Sequence, residues 1–379
     1  MKKTMWALCA LILCFGQAAA AQKQHWPSEV KVLLGEEAGG AYLEVKGKYQ
    51  VVDPHTGVRL SGGTTKCYPI EANRGGLQWG EGYPDIFQIA IVPLQDETTI
   101  LVDGVEYRGQ IHVYEVSGRL YIVNTLPIEE YVKCLLAVKA PGEKLEDEAV
   151  AALAIVMRSN AYNTVLRNRH SYWHVRASDV GYCGDGAGIW SDQYQRVVDQ
   201  THGMVLVASE LGGGPVPAQY TEHCAGRTIS HDLMQRGAAG SSLTGVEAPL
   251  AARARDESAW SCSISKRRLA QIAGLDTISG MNLYADDFSG KVYAVRFSDG
   301  ANSSDFDFHT LQRLVGKKEL RGSDFAVNTE GGQVAFTGHG AGAGVGLCLY
   351  SADALAKRGH DAAAILKSFF PHARVQLTR

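Results

Sequence analysis

From about Val30 to Val123, apolar residues come in short runs that partly alternate with polar ones: "VKVLL", "AYLEVKG", "YQVVD", "IFQIAIVPL", "TILVDG", "IHVYEV" and "RLYIVN". The runs are rich in β-branched residues and separated by Gly, Asp or Asn, which predicts short strands in antiparallel sheets or small barrels rather than βαβ units. After "TLPIEEYVKCLL" the period changes. Ala149, Val150, Leu153, Val156, Met157 and Ala161 recur at helical spacing and predict one long amphipathic helix over about 147–166. Acids at its start and Arg167 and Arg169 at its end suit the helix dipole. A loop rich in Gly and aromatics follows at 171–190, then a polar helix near 191–201 and strands in "GMVLVAS" and "VPAQYTEHC". A Gly/Ser loop at 237–245 precedes a short basic helix at 265–273. Strands return at 291–297 and 333–337, and after "GHGAGAGVGLC" helices are expected over about 351–369. No internal repeat is visible. Helices inserted among many strands make the expected class α+β.

The first residues alter this picture only at the margin. Lys2 and Lys3, an apolar run from Met5 to about Phe15 and then four alanines have the form of a secretory signal peptide over 1–21. The run is too short to span a bilayer, so the expected product is exported, near a membrane only by proximity. Loss of that segment moves the formal charge from −3 to −5 (35 basic against 40 acidic residues), which argues against a nucleic-acid partner. Six cysteines remain: Cys67, Cys134, Cys183, Cys224, Cys262 and Cys348. That is too few for a cysteine-stapled scaffold, and Cys134 and Cys348 lie in apolar runs as expected of buried thiols.

Several stretches carry more specific content. "VEYRGQIHVYEVSGRLYIVNTLPIEEYVKCLLAVKAP", "DEAVAALAIVMRSNAY", "QYQRVVDQTHGMVLV", "QYTEHCAGRT", "SAWSC" and "GAGVGLCLYSADALAKRGHDAAAILKSFFP" occur in that order. Together they resemble the stage II sporulation protein D family, which includes the amidase enhancer proteins, over roughly residues 30–375. The resemblance implies a β-rich region at 22–104, a core with a glycan groove at 105–245 and an α+β region at 246–379 that completes the domain. It also implies action on peptidoglycan glycan strands whose stem peptides have been removed, by lytic transglycosylation during cell division or sporulation. The implied partner is the N-acetylmuramoyl-L-alanine amidase that denudes the strands.

Such a reaction needs one carboxylic acid, kept protonated by a partly apolar wall, and not the carboxylate pair of an ordinary glycosidase. The family position for that acid, two residues before a proline, is Lys139 here, in "AVKAP". A desolvated ammonium is a poor donor to an ether oxygen. Glu143 lies four residues on, ahead of the predicted helix, and is the catalytic candidate; Glu146, Asp147 and Glu148 read as charges at a helix start. The same position can instead indicate a non-catalytic glycan-binding protein that stimulates an amidase.

The resemblance further implies that Arg158 binds a muramic carboxylate or orients the acid and that Tyr162 stacks on a sugar. Tyr220, Glu222, His223, Arg227 and Thr228 would form a sugar-binding wall, with Glu222 and His223 as alternative acids. Trp173, Tyr182 and Trp190 are further stacking candidates. Cysteines near Cys224 and Cys262 in exported relatives imply a disulfide between those two. Some relatives hold zinc after the long helix; here His170, His174 and Cys183 stand there without a C-x-x-C pair, so no metal is expected and zinc is the alternative. "GHGAGAGVGLC" lacks the Lys-Ser/Thr ending of a phosphate loop and reads as a tight turn. Ala343 occupies the place where the family usually carries a His, and the local histidine is His339.

Overall fold

The computed structural model describes residues 26–37, 40–73, 75–139, 145–185, 192–235 and 243–378. The expected signal segment at 1–21, Glu143 and Trp190 lie outside these residues. The class is α+β, with many antiparallel strands in several sheets and no closed barrel among the described residues.

The largest sheet has eleven strands. Glu29–Glu37 pairs antiparallel with Arg119–Pro127, which pairs in turn with Gln110–Val116. Ala41–Val52 bridges Arg59–Asn73, Gln88–Pro93 and Thr99–Val102. Alternation along Ala41–Val52 sends Leu43, Val45 and Val51 into the core, where none has accessible surface. The boundary expected at 104/105 does not divide this sheet, because its first strand lies against residues of the next region.

Two helices cover the sheet: α1 (Ile128–Lys139) and α2 (Asp147–Arg167). Instead of the expected amphipathic face, α2 has every residue from Ala149 to Ser159 buried. It runs through the middle of the molecule and also packs against Asp192–Gln200, Met204–Ala208, Leu349–Ala356 and Ala362–Phe369. A helix enclosed on all sides needs apolar or small residues around its whole circumference, and "AVAALAIV" supplies them.

The acids at its start make tertiary ties. Asp147 pairs with Arg196 (2.8 Å), Glu148 accepts the backbone N–H of Ala362 (2.7 Å), and Asp353 accepts that of Glu146 (2.9 Å).

The exception inside α2 is Arg158, which has no accessible surface. Its Nε and Nη2 donate to both carboxylate oxygens of Glu129 on α1 (2.7–3.1 Å), and its Nη1 donates to the Met204 carbonyl (3.1 Å). The Gly203 N–H completes the carboxylate's shell at 3.2 Å. Arg158 is therefore a clamp between α1, α2 and the next strand, which corrects the expectation that it binds glycan.

A second core lies between residues 229 and 345, where Ile264, Leu269, Phe297, Phe308, Leu311 and Phe336 pack together. It is framed by two three-stranded sheets and the helices Lys266–Ala273 and Phe308–Val315. The chain then returns to the first core: Leu347–Cys348 pairs parallel with Tyr220–Thr221, and Ala373–Leu377 pairs antiparallel with Met204–Ala208. The region expected at 246–379 is thus shared between two cores.

Removing Glu129 leaves the Arg158 guanidinium buried without its counter-charge. Glu129→Ala is expected to lower unfolding stability by about 3–5 kcal/mol, whereas Glu129→Leu combined with Arg158→Met recovers most of that loss. Urea denaturation of the three proteins checks both, and equal stability of single and double variants would refute the clamp.

Candidate functional site

A groove of about 1030 Å³ opens between the two cores. One wall is helical. Tyr131 and Leu135 come from α1, one turn apart, and Val156, Asn160 and Thr164 form an i, i+4, i+8 stripe on α2. The facing wall comprises Ala218–Glu222, the turn Ala341–Ala343 and, from the second core, Asp307, His309, Arg313, Lys317 and Arg321. Asp179 and Val180 close one end.

The glycine-rich turn is shaped by close approach. The Thr221 hydroxyl donates to the Ala341 carbonyl (2.7 Å) and accepts the Gly344 N–H (3.1 Å). Gly342 sits between them at φ +91°, where a Cβ would strike the Thr221 hydroxyl. Gly346, at φ +71°, would collide with the Gln219 carbonyl. The turn can lie flat against the Gln219–Thr221 backbone only because these positions lack side chains.

Among the described residues, two of the expected site residues line the groove. Tyr220 and the exposed Glu222 line it. Lys139 ends α1 one turn beyond Leu135, two residues ahead of Pro141.

Others are placed elsewhere. Tyr162 is buried and packs edge-on against Trp26, with ring centroids 5.1 Å apart. His223 accepts the Ala225 N–H at Nδ1 (3.1 Å) and rests on the Tyr350 ring (4.6 Å), with its Nε2 buried and unpartnered among the described residues. Ala225 (φ +53°) and Gly226 (φ +114°) then turn the chain away. As a result Arg227 reaches Glu247 (3.3 Å) and lies over the Phe288 ring, while Thr228 is buried and accepts the Val246 N–H (2.9 Å). The sugar wall expected over 220–228 therefore stops at Glu222. Ala343 faces the groove, whereas His339 is outside its lining.

Among the described residues, three acids line the groove: Asp179, Glu222 and Asp307. Asp307 is occupied as a helix cap, accepting the N–H and hydroxyl of Thr310 (both 2.8 Å). Burial alone would raise its carboxyl; the Thr310 bonds outweigh it and hold it below the usual range.

Beside the groove, a second hollow of about 510 Å³ shares Val175 and Asp179 with it. Its walls include Tyr172, highly exposed, and Trp173, stacked on Tyr121 at 5.4 Å. Tyr182 is instead a core residue whose hydroxyl donates to Asn124 (2.6 Å).

Among the described residues no group of three His, Cys, Asp or Glu side chains is spaced to hold a metal. His174 Nδ1 accepts the Lys31 N–H (3.0 Å), His170 accepts from Arg169, and Cys183 is an exposed thiol. The expected Cys224–Cys262 disulfide is not formed. Cys224 belongs to the first core, where its N–H donates to Cys348 Sγ (3.2 Å), and Cys262 packs against the second core opposite Phe336.

A mixed sheet covered by a buried helix, with a groove at the junction to an inserted module, defines the class to which the comparisons lead. Residues 116–207 match the stage II sporulation protein family, SpoIID. The chain belongs to that family, which points to a cell-wall- and sporulation-related role. Its relatives include an uncharacterised protein of Chlamydia muridarum, 35% identical over 181 residues (47% of this chain, 62% of the relative). One from Chlamydia pneumoniae is 30% identical over 195 residues (48% and 70%), and one from Brachyspira hyodysenteriae is 24% identical over 353 residues (90% and 91%). The match thus spans less than two thirds of the Chlamydia muridarum relative.

Two outcomes follow from these placements. Burial, and then the charge of Lys31, lowers both His112 and His174 to about 4. The unfolded chain takes up these protons near pH 6.5 and the folded chain only near 4, so both sites favour the fold above pH 6.5 and lose that contribution as pH falls through this window. Urea titrations across this range should show stability falling, with a shallower slope for His112→Gln combined with His174→Gln; an unchanged slope would discount these histidines. Thiol labelling of the native protein followed by peptide mapping should modify Cys67 and Cys183 first. Cys134, Cys224 and Cys348 should react only after denaturation.

Proposed function

We propose that this groove binds a glycan strand of peptidoglycan and that the protein cleaves denuded strands by lytic transglycosylation, outside the cytoplasmic membrane and in concert with an amidase. The observation that carries the reading is the groove itself. It is bordered by α1 and α2 of the family-matched segment and sets the half-buried Tyr220 ring beside hydrogen-bonding groups (Asn160, Thr164, Gln219, Glu222). Sugar rings present both an apolar face and a hydroxyl rim, and this lining is suited to both. The neighbouring hollow with Tyr172 and Trp173 extends the path beyond the groove's end. No helix among the described residues is long and apolar enough to cross a membrane. The export component rests on the signal-like pattern of residues 1–21.

In the proposed reaction Glu143 acts as the acid. It protonates the glycosidic oxygen as that oxygen's bond to muramic C1 breaks, releasing the next sugar with a free hydroxyl. Then, as base, it takes the proton of the muramic 6-hydroxyl as the 6-oxygen bonds C1 and closes the anhydro ring. It follows the last residue of α1 by four positions, and Glu222 lines the groove from the facing wall. Lys139, at the position where the resemblance implies an acid, favours a second reading: a protein that binds denuded glycan without cutting it and stimulates the amidase.

Incubation with amidase-treated sacculi, followed by mass spectrometry for anhydromuramoyl products, separates the two. The first reading expects products from wild type, a fall of about 100-fold with Glu143→Gln, and a gain with Lys139→Glu. Strand binding without products would establish the second reading, and absence of binding would overturn both.

A further inference from the structure

The groove has a wall that the family-matched segment does not contain. Arg313 lies at the end of the Phe308–Val315 helix, Lys317 one turn later beyond Gly316, and Arg321 in the segment leading back to the glycine-rich turn. All three are exposed, all three line the groove, and none is in an ion pair among the described residues. Their backbone is fixed at both ends. The helix is capped by Asp307, and the Gly342 N–H donates to the Arg321 carbonyl (2.8 Å), tying the cationic segment to the turn packed on Thr221. Asp307, the acid on their own element that also lines the groove, is taken up by its cap. The groove is therefore asymmetric among the described residues, with three cations outside any ion pair and Glu222 on the facing wall, and the uncharged stripe of Val156, Asn160 and Thr164 on α2.

Glu222 and Asp179 share the groove but form no ion pair with these cations among the described residues, so all three are free to meet an anionic ligand. From this geometry we infer that Arg313, Lys317 and Arg321 form a carboxylate-selecting rail that engages the free lactyl carboxylates of a denuded glycan strand. The inference rests on the glycan reading above and adds the basis of selection. An intact strand has each lactyl group tied up as an amide to a stem peptide, with no carboxylate at that position. Removal of the peptide exposes one anionic group on each muramic residue. Guanidinium groups can hold such carboxylates bidentately, and the lysine adds a point charge. Because the cations are solvated, the attraction is screened by salt.

The test measures binding of fluorescently labelled glycan oligosaccharides by anisotropy. Three ligands are compared: denuded strands, the same strands with their carboxyls converted to primary amides, and neutral chitin oligosaccharides. Wild type is expected to prefer the denuded strands by about tenfold or more, with the preference shrinking as salt is raised. Arg313→Gln, Lys317→Gln and Arg321→Gln combined should abolish the preference while retaining the weaker affinity for amidated strands; the corresponding Glu variants should bind denuded strands less well than amidated ones. These side chains are exposed, and an unchanged melting curve verifies that each variant folds.

Equal binding of denuded and amidated strands by wild type would overturn the rail and leave the glycan reading standing. Retention of the preference by the Gln variant would overturn it in the same way. If wild type binds none of the three ligands, the glycan reading fails and the rail fails with it.

Discussion

The structure depends on one buried ion pair. Arg158 sits in the middle of a helix with apolar packing on every side, and no solvent reaches its guanidinium. A charge in that position is tolerable only because Glu129 meets it with both oxygens and the Met204 carbonyl takes a further N–H. Those bonds fix the angle and spacing between α1 and α2, and they hold the start of the Met204–Ala208 strand against both. The helical wall of the groove is made of residues from these same two helices. An internal electrostatic constraint therefore sets the width of an external surface feature.

The facing wall is held by different means. The Gln219–Glu222 segment and the glycine-rich turn lie backbone to backbone, joined through the Thr221 hydroxyl and kept close by the absence of side chains at Gly342 and Gly346. Behind them Lys291, almost wholly buried, donates to the Cys224 carbonyl (2.8 Å) and approaches Asp324, which also receives Arg255 (2.6 Å). Burial pulls the Lys291 ammonium below its usual range, and the Asp324 carboxylate opposes that shift. This polar network fastens the second core to the bend at Ala225, so the cationic wall and the Tyr220–Glu222 wall are parts of one rigid assembly.

Much of this is legible in the sequence, and the reasons for the rest are specific. The strands from Val30 to Val123 and the helices near 147–166, 191–201 and 265–273 follow from period and punctuation, which are local properties. Helix α1 escapes such a reading, because "IEEYVKCLL" is nearly as apolar as the strand before it and its acids are close to its start. The Phe308–Val315 helix escapes it too, although Asp307 with Thr310 three residues later is a cap pattern that could reveal it. An arginine such as Arg158 is expected at the surface because arginines usually lie there; its partner is 29 positions away, and no local pattern encodes that pairing. At the site, Tyr220 and Glu222 line the groove, but Arg227 and Thr228 are carried past it by the turn at Ala225, a non-glycine residue at positive φ that composition does not mark. The basic wall is invisible in the sequence because its three residues belong to a stretch whose helix the pattern does not announce.

The return of the chain to its first core has a consequence for the order of assembly. The strand Ala373–Leu377 is the neighbour of Met204–Ala208, and the segment between them, second core included, must be made before the two can meet. Until then "MVLVA" keeps one backbone edge unpaired, and an apolar β-branched edge is a template for pairing with other chains. The insertion enters and leaves beside the same short parallel pair, Tyr220–Thr221 with Leu347–Cys348, so it can fold on its own while the two ends of the first core stay near each other. Closure of that sheet then waits on Ala373–Leu377. Until Ala373–Leu377 docks, a chaperone that masks the Met204–Ala208 edge would protect the unfinished first core from pairing with other chains.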